Sequence, residues 1–452
     1  MDDIERNGVL GKEERRISLR SQSSLSGQVF FCICAVSSFA LRIVGLTMVT
    51  TAVIGELSLV IEDRKISLMD TTLMANKFSK LVHDLTASGA YATLFLILFG
   101  SAIIPLFRIF AIVLCFVIPV GERYVRWRTE MISLLDHVGR FILADHFLGG
   151  YVCYFFFMQK RILRDEGNAQ AIFPHDIELV LGTEVYIAFY SYLSSNILGS
   201  LLTHQLLNMN FPSVSLLDNG SNEPKVIFER LSPSRPPGFL FSKAAYFGAL
   251  ILALAGLFDL LILQSHVVTF SLEGIIGLVS NSDPRKFTLW TTCYGYHYGI
   301  HEFNQLNDNA TYALGVASGI VLIGLPVVLA LGALGLGVIP LTKKTQYKIL
   351  QSCPFWFSWC ALDVYFVVTL ALYFEMDVLA SYLFHDKYPH VCDALEMLFT
   401  EPCTQVETQY GRGMFSLALA IVGLLFLRVR LMALARQMNE METSQVMSPL
   451  IV

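Results

Sequence analysis

The sequence predicts an all-α polytopic membrane protein of about eight transmembrane helices, set as two parallel four-helix repeats with small folded loops on the outer side. Composition, the number of long apolar stretches and a correspondence between the two halves of the chain lead to this reading. Of 452 residues, 54% are hydrophobic and only 15% are charged. The mean hydropathy of +0.57 is too high for a soluble protein of this length. A helix that crosses a hydrocarbon core about 30 Å thick needs roughly 20 apolar residues. Eight stretches meet that need: 28–52, 90–118, 141–159, 185–207, 244–270, 311–340, 355–379 and 413–434. None shows the ten-residue alternation of a membrane barrel, and helices are the other form that satisfies the backbone in lipid.

Orientation follows from the cations. With the amino terminus inside, the inner segments hold 19 Lys and Arg against 11 in the outer loops, and the remaining two, Arg42 and Arg108, lie within spans. That bias puts both termini in the cytoplasm. Residues 1–27 mix acids and bases and show no small-residue cleavage site, so they read as a cytoplasmic tail, with the first span as signal anchor. The basic stretch "RRISLRSQSS" there reads as an electrostatic anchor at an anionic membrane, with phosphorylation of Ser18 as the alternative. The chain then divides into a first repeat (28–207), a cytoplasmic linker (208–243) rich in Pro, Ser and charge, a second repeat (244–434) and a cytoplasmic tail (435–452).

The repeat rests on matched residues. "GRFILADHFLGGYV" opens the third span, and "FSWCALDVYFVVTL" opens the seventh. Each places an aromatic residue four positions before an aspartate, so that Asp145 aligns with Asp363. Pro105 and Pro326 lie near the middle of the preceding spans, and glycines (Gly182; Gly411 and Gly413) open the following ones. Halves with an even number of spans point the same way through the membrane, as parallel repeats do. Each half has a long outer loop after its first span and a shorter one after its third. Segment 66–88 has helical apolar spacing, with Thr71 or Thr72 as caps, and 182–190 and 266–280 read as short strands.

Ionisable groups inside spans cost a few kcal/mol each and normally face a cavity or a partner. Asp145, Asp363, Arg42, Arg108 and His146, with Arg140 at the inner edge, are the candidate polar network. Arg140 lies about 140° around the helix from Asp145, so Arg108 or Arg42 is the expected partner of Asp145. Function and structural tying of helices are competing roles for these residues. Pro105 and Pro326 remove helix hydrogen bonds in mid-span and are candidate hinges, with close helix packing as the alternative. Cys392 and Cys403 share the last outer loop as a candidate disulfide, with buried free thiols as the alternative. Cys293, His297 and His301 have a spacing that could hold a metal, but the glycine and aromatic content of "CYGYHYGIH" reads as a loop, and no metal site is expected. The sequence carries no nucleotide loop, HExxH helix or nucleophile elbow, so neither an enzyme nor a cofactor is expected.

The ordered set of motifs resembles the paraquat-inducible protein A family of integral membrane proteins. In the first repeat Gly139, Arg140, Phe141 and Asp145 stand at the glycine, basic, tryptophan and aspartate positions of that family's third-span signature. In the second, Trp359, Cys360, Leu362, Asp363, Val364 and Tyr365 stand at the tryptophan, serine, leucine-aspartate-valine and aromatic positions. Ser358 replaces the basic residue. The family's paired Cys-x-x-Cys zinc ribbons have no counterpart, since residues 1–27 and 208–243 contain no cysteine. The resemblance implies two four-helix repeats and transport or presentation of lipid, with membrane lipids and an outer-side protein as partners and no nucleic acid. The alternative is a tetraspanin- or claudin-like scaffold that acts through its outer loops.

Overall fold

A computed structural model describes residues 24–47, 49–61, 64–118, 127–128, 130–132, 134–135, 139–144, 147–148, 151, 158–162, 176–185, 187–210, 224–230, 243–274, 284–298, 308–382, 385, 392–393 and 404–447. Among these, six helices are long and apolar enough to cross a membrane: Leu25–Thr47, Tyr91–Val117, Lys243–Leu261, Gly315–Val338, Lys343–Ser381 and Gly413–Ala435. Their outward faces carry exposed Phe30, Ile33, Phe107, Phe110, Val328, Leu331, Phe415 and Phe426. An apolar surface of that extent would drive aggregation in water and is the ordinary lipid-facing surface of a span. The chain is a multi-pass membrane protein.

In the first half, α1 (Leu25–Thr47) is followed by the hairpin β1 (Val49–Ile61) and β2 (Arg64–Lys77), then by α2 (Phe78–Ser88). A helix then runs as α3 (Tyr91–Ile97), a π-helical turn (Leu98–Ile103) and α4 (Ile104–Val117). A 3₁₀ turn covers Arg140–Leu143, and β3 (Met158–Ile162), β4 (Asp176–Val185) and α5 (Ile187–Asn210) follow. After the short α6 (Ile227–Arg230), the second half begins with α7 (Lys243–Leu261), β5 (Val268–Glu273), β6 (Arg285–Phe287) and α8 (Leu289–Tyr298). Next come α9 (Asp308–Gly319), a second π-helical turn (Ile320–Gly324) and α10 (Leu325–Val338). The chain ends in α11 (Lys343–Trp359), α12 (Leu362–Ser381), β7 (Gln405–Tyr410) and α13 (Gly413–Met447).

Two antiparallel sheets cap one end of the helices, in the orders β2-β1-β4-β3 and β6-β5-β7. In each, the strand that follows the half's first helix is central, flanked by the next strand and by the strand that leads into the half's last helix. The two helix breaks also correspond. Pro105 and Pro326 are each the second residue after a π-helical turn, and each opens a 14-residue helix. A proline has no N–H for the carbonyl four residues back, and its ring crowds that carbonyl; the wider π turn absorbs both effects.

Several expectations change. Residues 64–77 are strand, and helix is confined to Phe78–Ser88. Locally the spacing serves either period, but β-branched Ile66, Thr71 and Thr72 suit a strand, and pairing with β1 decides. Gly182 lies within β4, opposite Ile54, so it does not open a span. Strand β3 begins at Met158, which shortens the third apolar stretch. The segment holding Cys293 is helix rather than loop. Thr288 starts it by capping: its Oγ1 accepts from the Thr291 N–H at 3.0 Å, while its own N–H donates to Thr291 Oγ1 at 2.7 Å.

The first and last helices of each half pair tightly, by different means. Between α1 and α5, Ser38 Oγ donates to the Ser195 carbonyl at 2.9 Å and Ser195 Oγ donates to the Ser38 carbonyl at 2.6 Å. Between α7 and α13 the backbones themselves touch. A side chain at Gly256 would strike the Ser416 carbonyl, and one at Gly423 would lie 2.7 Å from the Ala249 carbonyl.

Candidate functional site

Arg140, Asp363 and Arg108 come close together where the halves meet. The helical run Lys343–Ser381 is broken at Cys360 and Ala361, whose backbone leaves the helical region (ψ 104° and 26°). The break frees the last carbonyls of α11 and the first amides of α12. Arg140, from the 3₁₀ turn of the first half, bridges it: Nη1 donates to the Cys360 carbonyl at 3.0 Å, and Nη2 lies 2.9 Å from Asp363 Oδ2. A cation at the carbonyl end of α11 and a carboxylate in the first turn of α12 both match the helix dipoles. The Arg140 side chain is 4% exposed and that of Asp363 19%, so the pair is largely withdrawn from water. At such burial the two charges depend on each other.

Behind Arg140, the guanidinium of Arg108 occupies the space where a side chain at Gly139 would be, 2.6 Å from that Cβ position, which is why glycine stands there. Arg108 Nη2 donates to Ser200 Oγ (3.1 Å) and Thr203 Oγ1 (3.0 Å) on α5. A line of neighbours therefore runs from α5 through Arg108 to Gly139, and the next residue, Arg140, reaches α12. Arg42 lies apart from it: fully buried, its Nη2 donates to Asn196 Oδ1 on α5. Asp145 and His146 lie outside the described residues.

Further along, Phe147 and Tyr151 pack against α12. Phe147 meets Tyr365 edge-on at 5.8 Å, and Tyr151 stacks on Tyr365 at 5.7 Å and on Phe287 at 4.7 Å. The Thr369 hydroxyl donates to the Tyr365 carbonyl (2.8 Å), so the Tyr151 hydroxyl is the donor in its 2.5 Å bond to Thr369. By the same reasoning Tyr365 donates to Thr292, whose own hydrogen goes to the Thr288 carbonyl. Phe147–Tyr365 and Tyr151–Thr369 are each 218 residues apart, the separation of Asp145 from Asp363. Sequence reasoning passed over Tyr151 and Thr369, although the alignment of the two aspartates also pairs them.

At the sheet end of this seam, Glu375 of α12 caps the first half's second span: Oε1 accepts from the Ala92 N–H at 2.6 Å and Oε2 from the Thr93 N–H at 2.7 Å. These are two of the donors a helix start leaves open. Tyr382 adds a hydrogen bond to Asp84 Oδ1 at 3.2 Å.

Two small cavities lie along the seam. One, about 270 Å³ counted to its open mouth, is lined by Arg140, Asp363 and Arg428 together with Phe357, Leu424 and Leu425. The other, about 190 Å³, lies among Thr93, Ile97, Ala144, Leu148, Val368 and Ala371. The enclosed part of each has room for little more than a water molecule. Elsewhere, Asp259 accepts from Arg412 (2.9 Å) and Ser416 (2.5 Å) at the sheet end of α7, away from the seam. Cys392 is disulfide-bonded, and Cys403 lies outside the described residues. Among the described residues no three His, Cys, Asp or Glu side chains gather as metal ligands.

Compared with protein-family models, curated proteins and solved structures, the chain matches none, so the resemblance to the paraquat-inducible protein A family stands on the motifs themselves.

Proposed function

We propose that this protein binds a membrane amphiphile, and transports or presents it, at the seam between two equivalent four-helix halves. The observation that carries the reading is the Arg140–Asp363 pair set into a broken span. Interrupted spans whose exposed helix ends meet a charged side chain are the usual construction of membrane transport sites, and an intramembrane ion pair that serves packing alone is an expensive way to join helices.

The equivalence of the halves is supported by the matched sheet orders, the matched π turns before Pro105 and Pro326, and contacts at the repeat offset of 218 residues. Contacts between corresponding residues are what a two-fold relation places on its axis. In this reading the stretch around 139–151 and helix α5 complete the first half, giving eight spans with both termini inside, and the π turns serve as hinges. The family resemblance supports the same substrate class.

The test combines native mass spectrometry of the purified protein with the Asp363→Asn variant. Co-purifying lipid, together with altered lipid distribution in a normally expressed variant, supports the proposal; no bound lipid and unchanged distribution would defeat it. One observation favours the scaffold reading instead: Arg140 and Asp363 are paired with each other, and the enclosed part of each cavity admits only water. Retention of outer-side protein partners by a lipid-free protein would give that reading the advantage.

A further inference from the structure

Resting on the amphiphile reading, we infer that the cleft at the α11–α12 break is the seat of an anionic headgroup, with Arg428 and Arg140 as its ligands. Three features of the cleft point to this class.

The first is charge. Among the described residues its lining carries two guanidinium groups and one carboxylate, Arg140 and Arg428 against Asp363, with Phe357, Leu362, Ile421, Leu424 and Leu425 as its apolar members. A net cationic pocket in a low-dielectric surround favours an oxyanion, and guanidinium forks suit phosphate and carboxylate geometry.

The second is depth. Arg428 lies in the last third of the Gly413–Ala435 span, and Asp363 in the first turn of α12. Both are remote from the sheets, because β7 leads into Gly413 and packs near the far end of α12, where Asp377 Oδ1 accepts from the Val406 N–H at 3.0 Å. The cleft thus lies toward the membrane surface opposite the sheets, at the level where headgroups meet acyl chains.

The third is polarity along α13. Ile421, Leu424 and Leu425 precede Arg428 on the cleft wall, and the adjoining Val422, Phe426 and Val429 are exposed on the lipid-facing surface, as is Leu425 itself. The wall is therefore apolar toward the bilayer centre and cationic toward its surface, the order of a lipid's own parts. Asp363 holds Arg140 in the absence of ligand, and an arriving phosphate or carboxylate competes with it for that guanidinium.

The experiment is native mass spectrometry of the full chain offered phosphatidylglycerol, phosphatidylcholine or inorganic phosphate. The inference expects preferential retention of phosphatidylglycerol. Arg428→Gln lowers it about tenfold, the worth of one charge-assisted contact, while Arg428→Lys keeps much of it. Asp363→Asn, by removing the competing carboxylate, raises it. Equal retention of the two lipids, or an unchanged Arg428→Gln variant, overturns the headgroup site and leaves amphiphile binding standing. Displacement of phosphatidylglycerol by millimolar inorganic phosphate overturns the lipid assignment in favour of free phosphate. If neither lipid is retained, the underlying reading falls, and this inference with it.

Discussion

The seam between the halves and the helix pairs within each half are held by different chemistry. Within the halves neutral ties are prominent: reciprocal serine hydrogen bonds join α1 to α5, and glycine-mediated backbone contact joins α7 to α13, beside the charged side chains of Arg42 on Asn196, Arg108 on Ser200 and Thr203, and the Asp259–Arg412 pair at the sheet end. Across the seam the ties at both ends are charged, Arg140 to Asp363 and Glu375 to the Ala92 and Thr93 amides, with the neutral Tyr151–Thr369 bond between them. In lipid there is little hydrophobic drive between helices, so packing of small residues and polar contacts set the association. Neutral small-residue contacts suit pairs that stay together. Charged ties depend on protonation and on competing ligands, and they suit an interface that changes.

Four substitutions test that contrast, in order of expected effect. Arg140→Leu leaves Asp363 buried without its guanidinium and should destabilise the protein by about 3–5 kcal/mol, the usual result of breaking a buried pair. Adding Asp363→Asn should restore much of the loss, and a double-mutant cycle measured by denaturant unfolding in detergent reads the coupling. Gly423→Val drives a branched side chain into the Ala249–Ala253 backbone of α7 and should cost roughly 1–3 kcal/mol through overpacking. Gly423 faces α7 while its neighbours Leu424 and Leu425 line the cavity beside Arg140; its effect should add to that of Arg140→Leu if the two regions are separate, and strong non-additivity would break the distinction between them. Glu375→Gln keeps one acceptor and loses the charge at the helix start; the expected loss is about 1 kcal/mol, read by thermal unfolding. Ser38→Ala removes one of two reciprocal hydrogen bonds and should change stability by only about 0.6 kcal/mol, as polar contacts between membrane helices average.

How far the sequence could be read varies with the kind of information each feature needs. Apolar length located the six spans together with two further stretches, 141–159 and 185–207, that are not among the six, and the prolines and Asp363 stand out as breaks in an otherwise uniform pattern. The long hairpin did not, because residues 64–77 satisfy helical and strand spacing alike and only their pairing with β1 separates the two. Arg140 is recognised as a candidate, but only Asp145 is weighed as its partner, and Asp145 is set aside on helix geometry. The partner found is Asp363, more than two hundred residues away, and no local periodicity encodes a contact between halves. The Glu375 cap is hidden for the same reason: the residue reads as one more intramembrane acid until the start of another helix is placed beside it.

The central claim, which rests on the proposed repeat, is that the stretch holding Phe147 and Tyr151 lies beside α12 in the register such a repeat would set. It is tested most directly by cross-linking in native membranes, with Tyr151→Cys and Thr369→Cys together in a background lacking the free cysteines. Ser38→Cys with Ser195→Cys serves as the within-half control. The account predicts an intramolecular cross-link in both pairs; a cross-link in the control but none between 151 and 369 would contradict it.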